Sequence, residues 1–151
     1  MRAFYPALGE MELSAEFEHT TTCAKLPQFC HSQHRALPSL RRLVPDPEVE
    51  LHPTTAAERG IQPGDWVVIA TPHGRMRARA RLRPHLDPRV VYAQHGWWQG
   101  CTALGLPGYD PHSSEGANYN VLISHEAMDP VSGVAPHRSY LCQISKGAAV
   151  S

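Results

Sequence analysis

Several short stretches of this chain carry side chains suited to holding a ligand. Thr20-Thr21-Thr22 leads into Cys23-Ala24-Lys25. Hydroxyls, backbone N–H groups and a lysine at a strand end suit a phosphate or diphosphate. His31-Ser32-Gln33-His34-Arg35 follows, a run of donors and acceptors that can read a heterocycle edge or simply form a polar loop. In Gln94-His95-Gly96-Trp97-Trp98, Gly96 permits close backbone approach, His95 offers a donor and Trp97 a flat apolar wall. The adjacent tryptophans could equally close one end of a barrel. Asn118 and Asn120 offer amides with both donor and acceptor, or act as turn residues; Asn120 directly precedes Val121-Leu122. Arg138 stands before the last strand. Together these groups fit a planar, phosphate-bearing organic molecule held by loop tips.

Other chemistries find less support. Cys23, Cys30, His31 and His34 lie close in sequence, which raises zinc binding, but their spacing is not that of a common zinc site and no second cysteine pair completes it. No Gly-x-Ser-x-Gly elbow, HExxH or P-loop marks a hydrolase. Arg75, Arg77, Arg79, Arg81 and Arg83 form a row that reads as a solvated strand face or a contact with a partner protein. Met and Ala stand where an RNA-binding stripe would interleave aromatics. The 14 basic and 14 acidic residues cancel, so no bulk field argues for nucleic acid or an anionic membrane. No apolar run is long enough to span a bilayer. The N-terminus is too acidic, and too broken by Pro6 and Gly9, for a secretory signal. The four scattered cysteines are expected to be reduced thiols, hence a cytoplasmic location.

The elements that must position these groups centre on His52 to Leu82. Thr54 or Thr55 is expected to cap a helical turn over Ala56–Arg59. Gly60 stops it, because glycine takes the left-handed conformation at little cost. Gln62-Pro63-Gly64-Asp65 forms a tight turn. Trp66–Thr71 reads as a buried strand. Pro72-His73-Gly74-Arg75 reverses the chain, and Met76, Ala78, Ala80 and Leu82 alternate with arginines in a half-buried strand. Short strands are also expected around Thr20–Thr22, Val49–Leu51, Arg89–Ala93 and Ser139–Ile144, the last with Tyr140, Cys142 and Ile144 on the face opposite Leu141. Residues 1–18 read as a poorly structured lead-in, with a single amphipathic turn through Met11, Leu13 and Phe17 as an option; 19–145 read as one domain and 146–151 as a mobile tail. Residues 101–120 form a long Gly- and Pro-rich loop of the kind that carries function. The class is all-β with short helices.

From about Thr20 to Ile144 the sequence resembles the C-terminal dinucleotide-binding domain of the molybdopterin oxidoreductases, the family of dimethyl sulfoxide reductase and formate dehydrogenase. The resemblance rests on the helix–turn–strand–hairpin unit, His31-Ser32-x-x-Arg35, the His95-Gly96-Trp97-Trp98 segment, Asn118-x-Asn120-Val121-Leu122 and Asp129-Pro130-x-x-Gly133. It implies a six-stranded double-psi β-barrel that binds molybdopterin guanine dinucleotide carrying molybdenum or tungsten. The implied contacts are Thr21, Thr22, Cys23, Lys25, His31, Ser32, Gln33, Arg35, His95, Gly96, Trp97, Asn118, Asn120 and Arg138, with Lys25, Arg35 and Arg138 offsetting diphosphate charge. Where relatives carry Thr-Gly-x-Arg, this chain has Thr22-Cys23-Ala24-Lys25. Cys23 adds a Cβ, and Lys25 is a point charge in place of a fork. Because the family's metal ligand comes from upstream domains, the resemblance implies no catalysis by this chain alone. It implies a small subunit joined to a larger catalytic chain, or a fragment of a longer enzyme. A stand-alone barrel for protein interaction and a zinc-binding protein are the alternatives.

Overall fold

The computed structural model describes residues 18–113, 117–124, 126 and 128–147. The expected lead-in, apart from Glu18, and residues 148–151 of the expected tail lie outside these. Six strands close into a barrel: β1 (His19–Ala24), β2 (Glu48–Leu51), β3 (Trp66–Thr71), β4 (Gly74–Leu82), β5 (Val90–Gln94) and β6 (Arg138–Lys146). Around the barrel the order is β1-β5-β2-β4-β3-β6, with β1·β5 and β2·β4 parallel and the other pairs antiparallel. Two short helices, α1 (Pro38–Arg41) and α2 (Pro53–Glu58), complete the all-β architecture that the resemblance implies.

Alternation sets the inner face. Val49 and Leu51 from β2, Val67 and Ile69 from β3, and Met76, Ala78 and Ala80 from β4 point inward with Val91, Ala93, Cys142 and Ile144. β3 is buried on one face only, with Trp66, Val68 and Ala70 partly exposed, so it is half-buried, in contrast to the full burial expected of an apolar run. Its outer Trp66 is covered by the guanidinium groups of Arg77 and Arg79, 5.0 and 4.2 Å from the ring centre. Cys142 and Ile144 are buried while Gln143 is exposed, as the alternation of the closing strand requires. β6 runs through Lys146, one residue past the expected domain end. There Lys146 Nζ meets Asp65 at 2.8 Å and the Gly147 N–H donates to Trp66 O at 2.7 Å.

The arginine face is a charge ladder. Parallel β2 and β4 hold Arg79 to Asp46 at 3.3 Å, Arg81 to Glu48 at 2.7 Å and Arg83 to Glu50 at 3.0 Å. These groups are partly exposed, so each pair contributes about 0–1 kcal/mol.

The helix-capping expectation is corrected. α2 begins at Pro53, and His52 is its cap, with Nδ1 accepting from the Thr54 N–H at 3.1 Å. Proline is preorganised for the first helical position, which moves the start ahead of the threonines. Thr55 is buried instead, and its hydroxyl donates to Pro88 O at 2.6 Å, tying α2 to the lead into β5. Gly60, at φ +62°, ends the helix as expected.

One end of the barrel gathers the loops. Ala24 pairs with Gln94 where β1 and β5 end, and Thr22 pairs with Arg138 where β6 begins, after a register shift at Thr21/Thr22. The β3–β4 turn reaches the same end, because Ala70 near the end of β3 pairs with Gln143 of β6. A 3-10 turn, Tyr119–Leu122, crosses it: Thr71 Oγ1 donates to Leu122 O at 2.9 Å, and Tyr119 Oη donates to His137 O at 3.2 Å. Replacing Thr55 with valine should leave the Pro88 carbonyl without its partner and lower unfolding stability by about 1–3 kcal/mol in urea titration. The exposed Thr54→Val change should be near neutral.

Candidate functional site

The polar groups singled out in the sequence converge on this end of the barrel, in three different roles. The first set is accessible. Thr22 and Cys23 are half-buried at the end of β1, and Lys25 is exposed just beyond. Cys23 needs no unusual backbone, since among the described residues the only non-glycines with positive φ are His31 (51°) and His34 (71°). His31 is exposed, its ring centroid 5.7 Å from that of His95. Ser32 and Gln33 line a groove of about 460 Å³ together with His34, Trp98 and Gln99. Asn120 and Arg138 are exposed.

The second set is internal. Thr21 is fully buried, facing the barrel interior beside Tyr119 because strand alternation turns it inward. Its expected side-chain role in ligand contact is corrected accordingly. Burial pushes the Tyr119 phenol well above its ordinary range. Trp97 is fully buried, packed edge-to-face on Phe29 at 5.7 Å, so it closes the barrel end and forms no open wall. Asn118 caps the 3-10 turn, its Oδ1 accepting from the Asn120 N–H at 3.1 Å and its Nδ2 donating to Pro111 O. Both groups of that amide thus take part in the fold.

The third set holds the loops together. Gly96 has φ +76°, and a Cβ there would stand 2.7 Å from Ser32 Cα. The close approach that glycine permits here is to the Ser32 backbone. Arg35 is 2% exposed. Its Nε donates to Gly96 O at 3.1 Å, and its Nη2 donates to His95 O at 2.8 Å and to His31 O at 3.2 Å. It therefore grips backbone, a different task from the surface phosphate contact expected of it.

Nothing in the local sequence points to Phe29 or Arg41. Arg41 is buried and donates to Pro45 O, Arg35 O and Gln99 O. Its Arg41-Arg42 context reads as surface, and its most distant partner, Gln99, is 58 residues away. A larger groove of about 610 Å³ lies by the charge ladder, lined by Pro63, Gly64, Arg79 and Arg81 among others, and it contains none of the candidate residues. Among the described residues no three His, Cys, Asp or Glu groups converge to hold a metal ion, so Cys23, Cys30, His31 and His34 gain no support as a zinc site. All four cysteines are free, and burial pushes the Cys142 thiol up to about 12.

Burial lowers the proton affinity of His95 below its ordinary value, and His31, Arg35 and Lys25 lower it further. Several buried polar atoms here have no partner among the described residues: Gln28 Oε1, Arg35 Nη1, His95 Nδ1 and Trp97 Nε1. A cationic, imidazole-bearing barrel end with unused hydrogen-bonding capacity fits a polyanionic heterocyclic ligand.

Fold and site together define a binding domain for a flat, phosphate-bearing cofactor. The chain belongs to the molybdopterin dinucleotide-binding family of the dimethyl sulfoxide reductase-type oxidoreductases; the family model, described as "Molydopterin dinucleotide binding domain", matches residues 20–141. Its ligand class is thus a molybdopterin dinucleotide. It is 40% identical to the dopamine dehydroxylase of Eggerthella lenta over 126 residues, 83% of this chain and 12% of that protein. It is 31% identical to a tetrathionate reductase subunit of Salmonella typhimurium over 130 residues, 76% of this chain and 13% of that one. Among solved structures, the acetylene hydratase of Pelobacter acetylenicus superposes with a TM-score of 0.74 at 24% identity, covering 90% of this chain and 19% of that chain. The chain thus spans about one eighth of the length of the curated relatives it matches.

Gly96→Ala should cost about 1–3 kcal/mol in denaturant titration, through positive-φ strain and the clash with Ser32. His19 and His95 both hold protons less readily when folded than in their ordinary state at 6.5, burial being the larger cause for each. The unfolded chain therefore binds more protons below that pH, and stability falls as pH drops through 6.5 toward 5. His95→Gln should flatten that decline, as measured by unfolding at pH 7 and pH 5.

Proposed function

We propose that this domain holds molybdopterin guanine dinucleotide, with molybdenum or tungsten, as one part of an oxidoreductase whose remaining active-site walls come from a larger catalytic portion. The observation that carries the reading is the convergence of Thr22, Lys25, His31, Ser32, His95, Asn120 and Arg138 on one barrel end. Lys25 and Arg138 are the exposed cations suited to the diphosphate. His31, Ser32, Gln33 and Asn120 offer the donors and acceptors that a pterin or guanine edge requires. Thr22 adds a hydroxyl at the end of β1, and Cys23 and His95 stand beside it at the strand exits. When bound, the cofactor supplies the redox chemistry and the protein supplies placement. A dehydroxylase and a reductase among the relatives share the domain, which suits a part that grips cofactor while other parts select substrate. The partner is the rest of the enzyme, in the same or another polypeptide, and no activity is expected from this domain alone.

Titrating GDP into the isotopically labelled chain should shift the amide resonances of Thr22, Lys25, Ser32, His95 and Asn120. Lys25→Gln should weaken that binding about tenfold at low salt, the scale of a charge-assisted phosphate contact, and less as ionic strength rises. Unmoved resonances at all five positions would refute the reading.

A further inference from the structure

We propose that Arg35 is the positioning residue of this cofactor site. Its buried guanidinium sets the spacing between the His31–Ser32 turn and the His95–Gly96 strand exit, and it supplies an uncompensated positive charge beneath them. The inference rests on the cofactor reading above.

The geometry is specific to arginine. The guanidinium carbon lies 3.9 Å from the centre of the Phe29 ring and 4.1 Å from that of Trp97, so two aromatic rings fix the position of the group. From there its fork reaches three carbonyls on two separate segments, those of His31, His95 and Gly96. A lysine ammonium has neither the plane to stack nor the spread to reach all three. The segments so joined are the ones that bear the paired imidazoles, and they already touch where Gly96 meets Ser32. His31 is held at φ 51°, a conformation that a non-glycine residue keeps only when its surroundings enforce it. The Arg35 contact to the His31 carbonyl supplies part of that enforcement.

The charge is as informative as the shape. Arg35 donates only to carbonyls, and the neighbouring charge that acts on it is another cation, Arg41. Arg41 sits over the same indole at 4.8 Å and donates to Arg35 O. Burial and Arg41 lower the Arg35 pKa to about 10, so it stays charged at neutral pH. A buried cation is normally matched by a carboxylate, because desolvation is costly. Arg41 has such a partner in Asp46, whose charge acts on it, whereas among the described residues the only charge acting on Arg35 is that of Arg41; the counter-charge that suits Arg35 is the dinucleotide's diphosphate. Burial is the main cause that lowers the proton affinity of His95, and the Arg35 charge, after that of His31, opposes protonation further.

The test compares the parent chain with Arg35→Lys, Arg35→Gln and the exposed-site control Arg42→Met. Three readouts are taken: the amide resonances of His31, Ser32 and Gly96 without ligand, the NMR titration of the His95 ring, and GDP affinity by calorimetry. Arg35→Lys keeps charge and loses the fork. It should shift the three resonances and weaken GDP about tenfold while His95 still titrates low. Arg35→Gln should in addition move the His95 titration up toward 6.5 and weaken GDP further. Arg42→Met should match the parent. A lysine variant equal to the parent in loop resonances and within twofold in GDP affinity overturns the positioning role. An unmoved His95 titration in the glutamine variant overturns the role of the charge. A parent chain that does not respond to GDP at all refutes the cofactor reading instead, and the ligand-free resonances then show separately whether the clamp exists.

Discussion

The structure depends on β1 being paired on both sides by strands distant in sequence. One neighbour, β5, runs parallel to it and the other, β6, antiparallel. Parallel strands end at the same place, so the chain leaves β1 at Lys25 and β5 at His95 side by side. An antiparallel partner must enter where β1 leaves, which brings Arg138 to the same rim. Loops so gathered need no further device to share a ligand, and a rigid sheet lies under them.

Local pattern makes most strands legible. The alternation in β4 and the β-branched run in β3 are decided within a few residues, and both form strands, although β3 buries only one face. The site is legible as a set of loops but not as a division of labour among residues. Arg35 and Arg138 are the same residue type in polar contexts, yet one is sealed under Trp97 and the other faces water. That difference depends on partners sixty positions away, which no local window contains. Gly96 is a point of close approach, as its type suggests, but the approaching group is the Ser32 backbone. Asn118 accepts one hydrogen bond and donates another, both within its own fold. The helix start escapes local pattern because a histidine ring can do at Nδ1 what a threonine hydroxyl more often does.

The two buried arginines show how a barrel end can be polar and still closed. Apart from Arg35 Nη1, the donors described for them are met by carbonyls of irregular segments, and their charged planes lie on aromatic faces. The arrangement lowers the Arg41 pKa, chiefly through burial. In return, loops free of regular secondary structure are tied to one another by side-chain hydrogen bonds.

The acid–base ladder between β2 and β4 has a meaning for folding fidelity. Sliding β2 by a single residue would expose Val49 and Leu51 and swing Glu48 and Glu50 into the apolar interior. Such a misassembled sheet would be penalised twice, by wetted hydrocarbon and by stranded carboxylates costing several kcal/mol apiece. Side chains that add little to the finished molecule thus guard against its nearest wrong version.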